Sequence, residues 1–139
     1  MKPTFTIQQA TVIPTGVLAS FLLAATPVAA LDVPSGQPVE LFEVLVDDMD
    51  HEVWLRFRFV APQIARDGGS IDYLKAEPDM AHLCQPLALP YIAEYDLKGQ
   101  VIVISLADRE TEFGAADPDA TQFFEAYRVQ DNACIWESF

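Results

Sequence analysis

Four carboxylates lie within six residues of the sequence, at Asp47, Asp48, Asp50 and Glu52. Oxygen-rich clusters of this kind suit hard cations such as Ca²⁺. A calcium loop counted from Asp48 fails at two positions, because it has no glycine at its sixth place and Phe59 stands where the bidentate glutamate belongs. The cluster is therefore interpreted as the solvated tip of a hairpin, and we predict no metal site there.

The possible zinc ligands are two histidines and both cysteines of the chain: His51, His82, Cys84 and Cys134. None of them has the paired spacing of zinc ligands on one element. In an oxidising compartment the cysteines are expected to form one disulfide, Cys84–Cys134, which leaves no thiolate for metal binding. The alternative is a reactive thiol at Cys84 next to His82, but residues two apart on a helix point in different directions. We predict neither a metal nor a cofactor.

Two arginines, Arg56 and Arg58, share the outer face of one predicted strand. They could hold a carboxylate or phosphate ligand bidentately, or pair with acidic side chains, since 21 Asp and Glu stand against 8 Lys and Arg. Asp108 and Arg109 directly follow the most apolar stretch of the chain. Parallel sheets often carry sites at such a place, but the sheet is expected to be antiparallel, and a loop ion pair is the alternative. These four residues are the candidate binding residues.

The composition excludes several classes of protein. The formal net charge of −13 argues against nucleic acid or an anionic membrane as partner, because both attract Lys and Arg. The length of 139 residues fits one domain, and no glycine-rich phosphate loop, nucleophile elbow or zinc-protease helix occurs in it. An apolar content of 51% excludes a disordered acidic tail.

Residues 1–30 have the pattern of a secretory signal peptide. The apolar run Val17–Ala25 follows a segment whose only charge is Lys2, and Val28 and Ala30 suit the −3 and −1 positions of a cleavage site. The alternative is an uncleaved anchor, but nine helical residues span only about 14 Å of a hydrocarbon core about 30 Å thick. We predict cleavage after Ala30, a periplasmic or secreted protein, and no membrane contact after cleavage. Because Lys2 is the only charge removed, the remaining 109 residues carry a net charge of −14.

The candidate residues must be positioned by a single globular domain over residues 39–139, preceded by an extended lead-in over residues 31–38. Two alternating runs, Val39–Asp47 and Val53–Val60, indicate a hairpin. The apolar, β-branched run Val101–Leu106 indicates a central strand that is buried on both faces.

The middle of the chain is less regular. Ile71–Lys75 is expected to form a short strand, and a helix is predicted to begin at Pro78-Asp79. Pro86 and Pro90 are expected to limit that helix to a couple of turns.

Thr121–Val129 permits two interpretations. Its aromatic residues fall at helical spacing, but as a strand it would pair with Cys134–Phe139 across a turn at Asp131–Ala133. We favour one helical turn at Pro118–Thr121 followed by a strand. Most of the aromatic residues near the C-terminus are expected in the core, and any exposed ones would suit a protein partner: Phe123, Phe124, Tyr127, Trp136 and Phe139.

Several short motifs resemble those of a family of small exported bacterial proteins of unknown function, over most of residues 39–139. Some members of that family carry the label acetolactate synthase. That label implies a thiamine-diphosphate enzyme of several domains, which 109 residues cannot house, so we reject it here. The resemblance implies no catalytic residues. The motifs are Leu55–Phe59, Met80–Cys84, Ile104–Arg109, Phe113-Gly114, Asp117-Pro118, Gln122–Arg128 and Cys134–Glu137.

The sequence thus predicts a small α+β domain, with an antiparallel sheet of about five strands, one or two short helices and a single disulfide. The leading hypothesis for function is a non-enzymatic periplasmic binding or interaction module, with another periplasmic protein as partner. The alternative is a small hydrolase-like or metal-dependent enzyme that uses Asp108 or the acidic cluster. An enzyme should show a pocket with a strongly shifted titrating group, and a binding module an exposed aromatic patch or open sheet edge.

Overall fold

The computed structural model describes residues 31–138, in which a five-stranded sheet carries helices on one face. The predicted signal peptide, its cleavage site after Ala30 and the alternative membrane anchor lie outside the described residues. From residue 31 to residue 138, no helix is both long enough and apolar enough to cross a membrane.

The strands follow one another across the sheet in chain order, β1-β2-β3-β4-β5. Neighbouring strands run antiparallel except for the central pair, β2 and β3, which runs parallel. A parallel pair requires a long crossover, and residues 61–100 supply it and carry the helices. The predicted α+β class, with a mostly antiparallel sheet, is confirmed. The strands are β1 (Glu40–Met49), β2 (Glu52–Val60), β3 (Val101–Ala107), β4 (Gln122–Gln130) and β5 (Ala133–Glu137).

The helical part of the crossover is longer than the sequence predicts. Helix α1 (Tyr73–Leu83) continues through a π-helical segment (Cys84–Ala88) into α2 (Leu89–Glu94). The predictions of a short strand at Ile71–Lys75 and of a helix start at Pro78 are therefore wrong. The side chain of Asp72 accepts the Lys75 N–H and begins the helix one and a half turns before Pro78.

The prolines do not end the helix because the hydrogen-bond ladder adapts to them. Pro86 lies in the π-helical segment, where the Leu89 N–H donates to the Cys84 carbonyl, five residues back. Pro90 is the second residue of α2, next to the change from π-helical to α-helical bonding.

The C-terminal part of the chain is a hairpin, so the strand interpretation of Thr121–Val129 is confirmed. Strands β4 and β5 meet at Asp131 and Asn132, which both have positive φ, as a two-residue hairpin turn requires. The predicted helical turn at Pro118–Thr121 is instead a β-turn, closed by the Ala120 N–H on the Asp117 carbonyl.

The core lies between the sheet and the helices. Alternate residues of the central strands are buried there, among them Phe57, Phe59 and Ile104, and they pack against Met80 and Leu83 of α1. The other face of the described sheet carries a much smaller apolar cluster, formed by Val101, Val103, Ala126 and Trp54. The two faces of the sheet are thus covered unequally.

A buried carboxylate ties the lead-in to this core. Asp79 on α1 is fully buried and accepts hydrogen bonds from the backbone and hydroxyl of Ser35 and from the amide of Gln37. These hydrogen bonds solvate the charge where water cannot reach it. The extended lead-in predicted for residues 31–38 therefore packs as part of the domain.

The predicted disulfide is confirmed. Cys84 at the start of the π-helical segment bonds to Cys134 on β5, with the two Cα atoms 6.2 Å apart and a sequence separation of 50 residues. The bond fastens an edge strand of the sheet to the crossover helix.

Replacing both cysteines by serine should lower the free energy of unfolding by about 4 kcal/mol. Without the cross-link, the unfolded chain gains conformational entropy, and for a loop of this length that gain stabilises the unfolded state by about this amount. Urea unfolding of the oxidised protein, the reduced protein and the Cys84→Ser/Cys134→Ser variant tests this, with the last two expected to agree. Two thiols that react with a labelling reagent in the absence of reductant would contradict the disulfide.

Candidate functional site

The less covered face of the sheet, here called the open face, presents the two candidate arginines. Arg56 and Arg58 alternate with core residues along β2, and in register they lie beside Val103 and Ser105 of β3. The segment 108–121, which joins β3 to β4, folds back over this face and is here called the covering loop.

A cavity of about 460 Å³ lies between the open face and the covering loop. Its volume falls within the usual range of small-molecule sites, roughly 300–1,000 Å³. The cavity also extends to the carboxyl ends of the parallel pair, at Val60 and Ala107. Sites in sheets with parallel strands often lie at such ends. A site at this position was discounted from the sequence because the sheet was expected to be antiparallel, but β2 and β3 run parallel and the cavity lies at their ends.

Arg58 is the most deeply buried charge on the open face, with only 9% of the residue exposed. It forms an ion pair with Glu43 of β1, and one of its terminal nitrogens donates to both the carbonyl and the hydroxyl of Thr111, each at 2.8 Å. The guanidinium also contacts the rings of Phe42 and Phe113. A lysine could not make this set of contacts, because it lacks the planar fork of donors.

Arg56 lies on the same face, two residues nearer the hairpin tip. Its Nε donates to Asp47 at 2.7 Å, and its guanidinium lies 5.2 Å from the Trp54 ring centre and 5.3 Å from that of Phe113. Phe113 therefore contacts both arginines, and the two guanidinium planes form part of the cavity wall.

The third arginine of the cavity, Arg109, pairs with Asp108. The Asp108 side chain is only 4% exposed and also accepts the Thr121 N–H at 2.8 Å. Burial raises the pKa of Asp108, but the hydrogen bonds from Arg109 and Thr121 outweigh it, so the pKa lies below its usual range. Asp108 thus joins the two ends of the covering loop.

The structure therefore gathers three of the four candidate residues around one cavity: Arg56, Arg58 and Arg109. Arg56 and Arg58 fit both interpretations from the sequence, ion pairing and ligand binding. Each is paired with a carboxylate, and each also lines the cavity. Their role in binding stays a prediction.

The acidic cluster separates at the hairpin tip instead of converging on a cation. Asp47 pairs with Arg56, and Glu52 accepts hydrogen bonds from Arg128 and Trp54, which lower its pKa. Among residues 31–138, no group of three or more His, Cys, Asp or Glu could hold a metal ion.

Three exposed aromatic rings border the cavity, and two of them, Phe42 and Phe113, were not predicted as binding residues from the sequence. Phe42, Phe113 and Phe124 all line it, with 38%, 49% and 69% of each residue exposed. Phe42 lies at an irregularity in the β1–β2 pairing between Leu41 and Glu43, and its ring contacts Arg58. The sequence named Phe124 as a residue that would suit a partner if exposed, and the signal for Phe113 was a single phenylalanine within the polar stretch after β3.

The C-terminal aromatic residues divide between the core and the surface. Tyr127 is buried on the helix-bearing face, and burial, followed by the nearby charge of Glu125, raises its pKa far above the usual value. Trp136 is 58% exposed and donates to Glu125 at 2.6 Å. Phe123 packs half-buried against the core, and Phe139 lies outside the described residues. The expectation that most of these residues lie in the core is therefore wrong for Phe124 and Trp136.

A family model described as a family of unknown function, DUF6497, matches residues 15–139. The chain belongs to this family. The DUF6497 match extends further towards the N-terminus than the motif resemblance, which began near residue 39. No curated protein and no solved structure matches the chain.

Replacing Arg58 by methionine should release the covering loop and lower the free energy of unfolding by about 3 kcal/mol, because it leaves Glu43 and Thr111 without their buried partner. Hydrogen exchange should show faster exchange within residues 108–121. The control is Lys98→Met, which removes a paired but exposed cation and should change little. Unchanged exchange of the loop in Arg58→Met would show that Arg58 does not hold it.

Proposed function

We propose that this DUF6497 protein is an exported, non-enzymatic binding module whose ligand is a small organic molecule held in the cavity on the open face. The observation that carries the proposal is the convergence of three exposed phenylalanine rings and three fixed guanidinium groups on one cavity of about 460 Å³. A cavity with mixed apolar walls and a few convergent polar groups is the usual form of a small-molecule site.

The exposed phenylalanine rings would favour the binding of an apolar ligand. Phe113 and Phe124 each keep about half or more of their surface exposed although they border a cavity. A ligand between them would remove that surface from water, at a gain of roughly 25 cal/mol per Å². The polar wall is already fixed by Asp47, Glu43 and Thr111, so little ordering of the cavity accompanies binding.

The titrating groups favour binding over catalysis. Within residues 31–138, the group with the large upward shift in pKa is Tyr127. It faces the helices, on the opposite side of the sheet from the cavity. Asp108, the residue named in the enzyme hypothesis, is held by Arg109 and Thr121 with a lowered pKa, which suits an ion pair better than a general base.

A protein partner in the periplasm remains a prediction from the sequence. The exposed rings and the free edge of β1 would suit one, but the recessed shape of the cavity favours a small molecule.

Export is supported by the disulfide, because such bonds persist in oxidising compartments, and by the signal-like pattern of residues 1–30. Expressed with its native N-terminus in a Gram-negative host, the protein should be recovered from the periplasm or medium beginning at Leu31. N-terminal sequencing checks this, and Ala30→Lys, which blocks the −1 position, should retain the precursor. Recovery from the cytoplasm with residues 1–30 intact would contradict export.

Ligand binding should disappear when the cavity is filled. The Ser105→Phe variant places a ring on the cavity floor, while Leu74→Phe, on the exposed surface of α1, is the matched control. Nuclear magnetic resonance titration with a set of small aromatic and aliphatic fragments should shift amides of the covering loop and β3 in the wild type and control only. Fragments that bind Ser105→Phe equally well, or that shift no cavity amide, would contradict the proposed site.

A further inference from the structure

We infer that the cavity selects an uncharged aromatic molecule and discriminates against organic anions and cations. The inference rests on the proposed function and adds the chemical class of the ligand. It differs from the carboxylate or phosphate ligand that a pair of neighbouring arginines suggests in the sequence.

The charges around the cavity nearly cancel. The positive lining groups are Arg56, Arg58 and Arg109, and each has its own carboxylate partner, respectively Asp47, Glu43 and Asp108. Glu112 also lines the cavity and adds a negative charge. An entering anion therefore meets no uncompensated positive charge that would repay the loss of its hydration.

The best-placed arginine is also engaged by the protein. Arg58 donates from one terminal nitrogen to Glu43 and from the other to Thr111, so an entering anion would compete with the Glu43 carboxylate for the guanidinium. Arg56 donates its Nε to Asp47, and its guanidinium carbon lies 5.2 Å from the Trp54 ring centre and 5.3 Å from that of Phe113. The pairing of both guanidinium groups with carboxylates weakens their attraction for an anionic ligand.

A cation gains little attraction from the same surroundings. The carboxylates of Asp47, Glu43 and Asp108 are each engaged by an arginine, and the Phe113 face that could attract a cation is already in contact with Arg56 and Arg58. The remaining attraction is for an apolar, aromatic body between Phe113 and Phe124.

Ser105 supplies a neutral polar group that can orient such a ligand. The hydroxyl of Ser105 lies half-buried on the cavity floor, and it makes no hydrogen bond within the described part of the chain. A hydroxyl can donate or accept, so it matches a neutral polar substituent such as an amide or alcohol.

Three probes of one size test the charge preference: benzamide, benzoate and benzylammonium, each titrated to about 10 mM, where even weak fragments bind. Benzamide should shift the amides of Ser105, Phe113 and Phe124 with an affinity about tenfold above that of the other two. Benzoate or benzylammonium binding there as tightly as benzamide would overturn the ligand class but not the proposed function. If no probe shifts a cavity amide, the proposed function is overturned as well.

A charge variant tests the cause of the preference. Asp47→Asn removes the partner charge of Arg56 and should raise the affinity for benzoate about tenfold, while benzamide changes less than about twofold. The matched control is Asp96→Asn, which removes the same charge from an exposed pair with Lys98 outside the cavity and should alter neither affinity. Unchanged benzoate binding in Asp47→Asn would overturn the charge argument.

Discussion

The arrangement around the open face depends on the burial of one cation, Arg58. A guanidinium with little access to water must find partners within the protein, and β2 alone offers none. Arg58 therefore finds its partners on two other segments: it pairs with Glu43 of β1 and donates a hydrogen bond to Thr111 of the covering loop. Because Thr111 is fixed in this way, Phe113, two residues later, lies against Arg56 and Arg58. The covering loop is thereby held against the open face and forms one wall of the cavity.

The opposite face of the sheet is fixed by different means. The crossover between two parallel strands covers that face with helices, and its apolar residues form the main core. The disulfide holds β5 to the π-helical segment, and Asp79 holds the lead-in by hydrogen bonds. The main apolar core and the cavity thus lie on opposite faces of the sheet, with Arg58 as the buried residue that stabilises the open face.

The sequence predicts those features that depend on local pattern and fails where distant partners decide. The alternation of Val53–Val60 predicts strand β2 and its two faces, and the cysteine pair predicts the bond between helix and sheet. The start of α1 was missed because Asp72 caps the helix before Pro78, and the length of the helix was missed because π-helical bonding accommodates Pro86. Arg56 and Arg58 were correctly placed on the outer face, but Thr111 and Phe113 lie more than 50 residues further along the chain, and no local pattern pairs them with a given arginine.

The arginines of the cavity illustrate how pairing changes the role of a charged side chain. An unpaired guanidinium is a strong anion site, and three of the five arginines of an acidic chain on one surface invite that interpretation. Once each is neutralised by its own carboxylate, what it presents is a rigid, weakly hydrated plane that stacks well on aromatic rings. In the ligand site proposed above, such groups and rings would select a ligand by shape more than by charge, because each arginine already has its counter-ion within the protein.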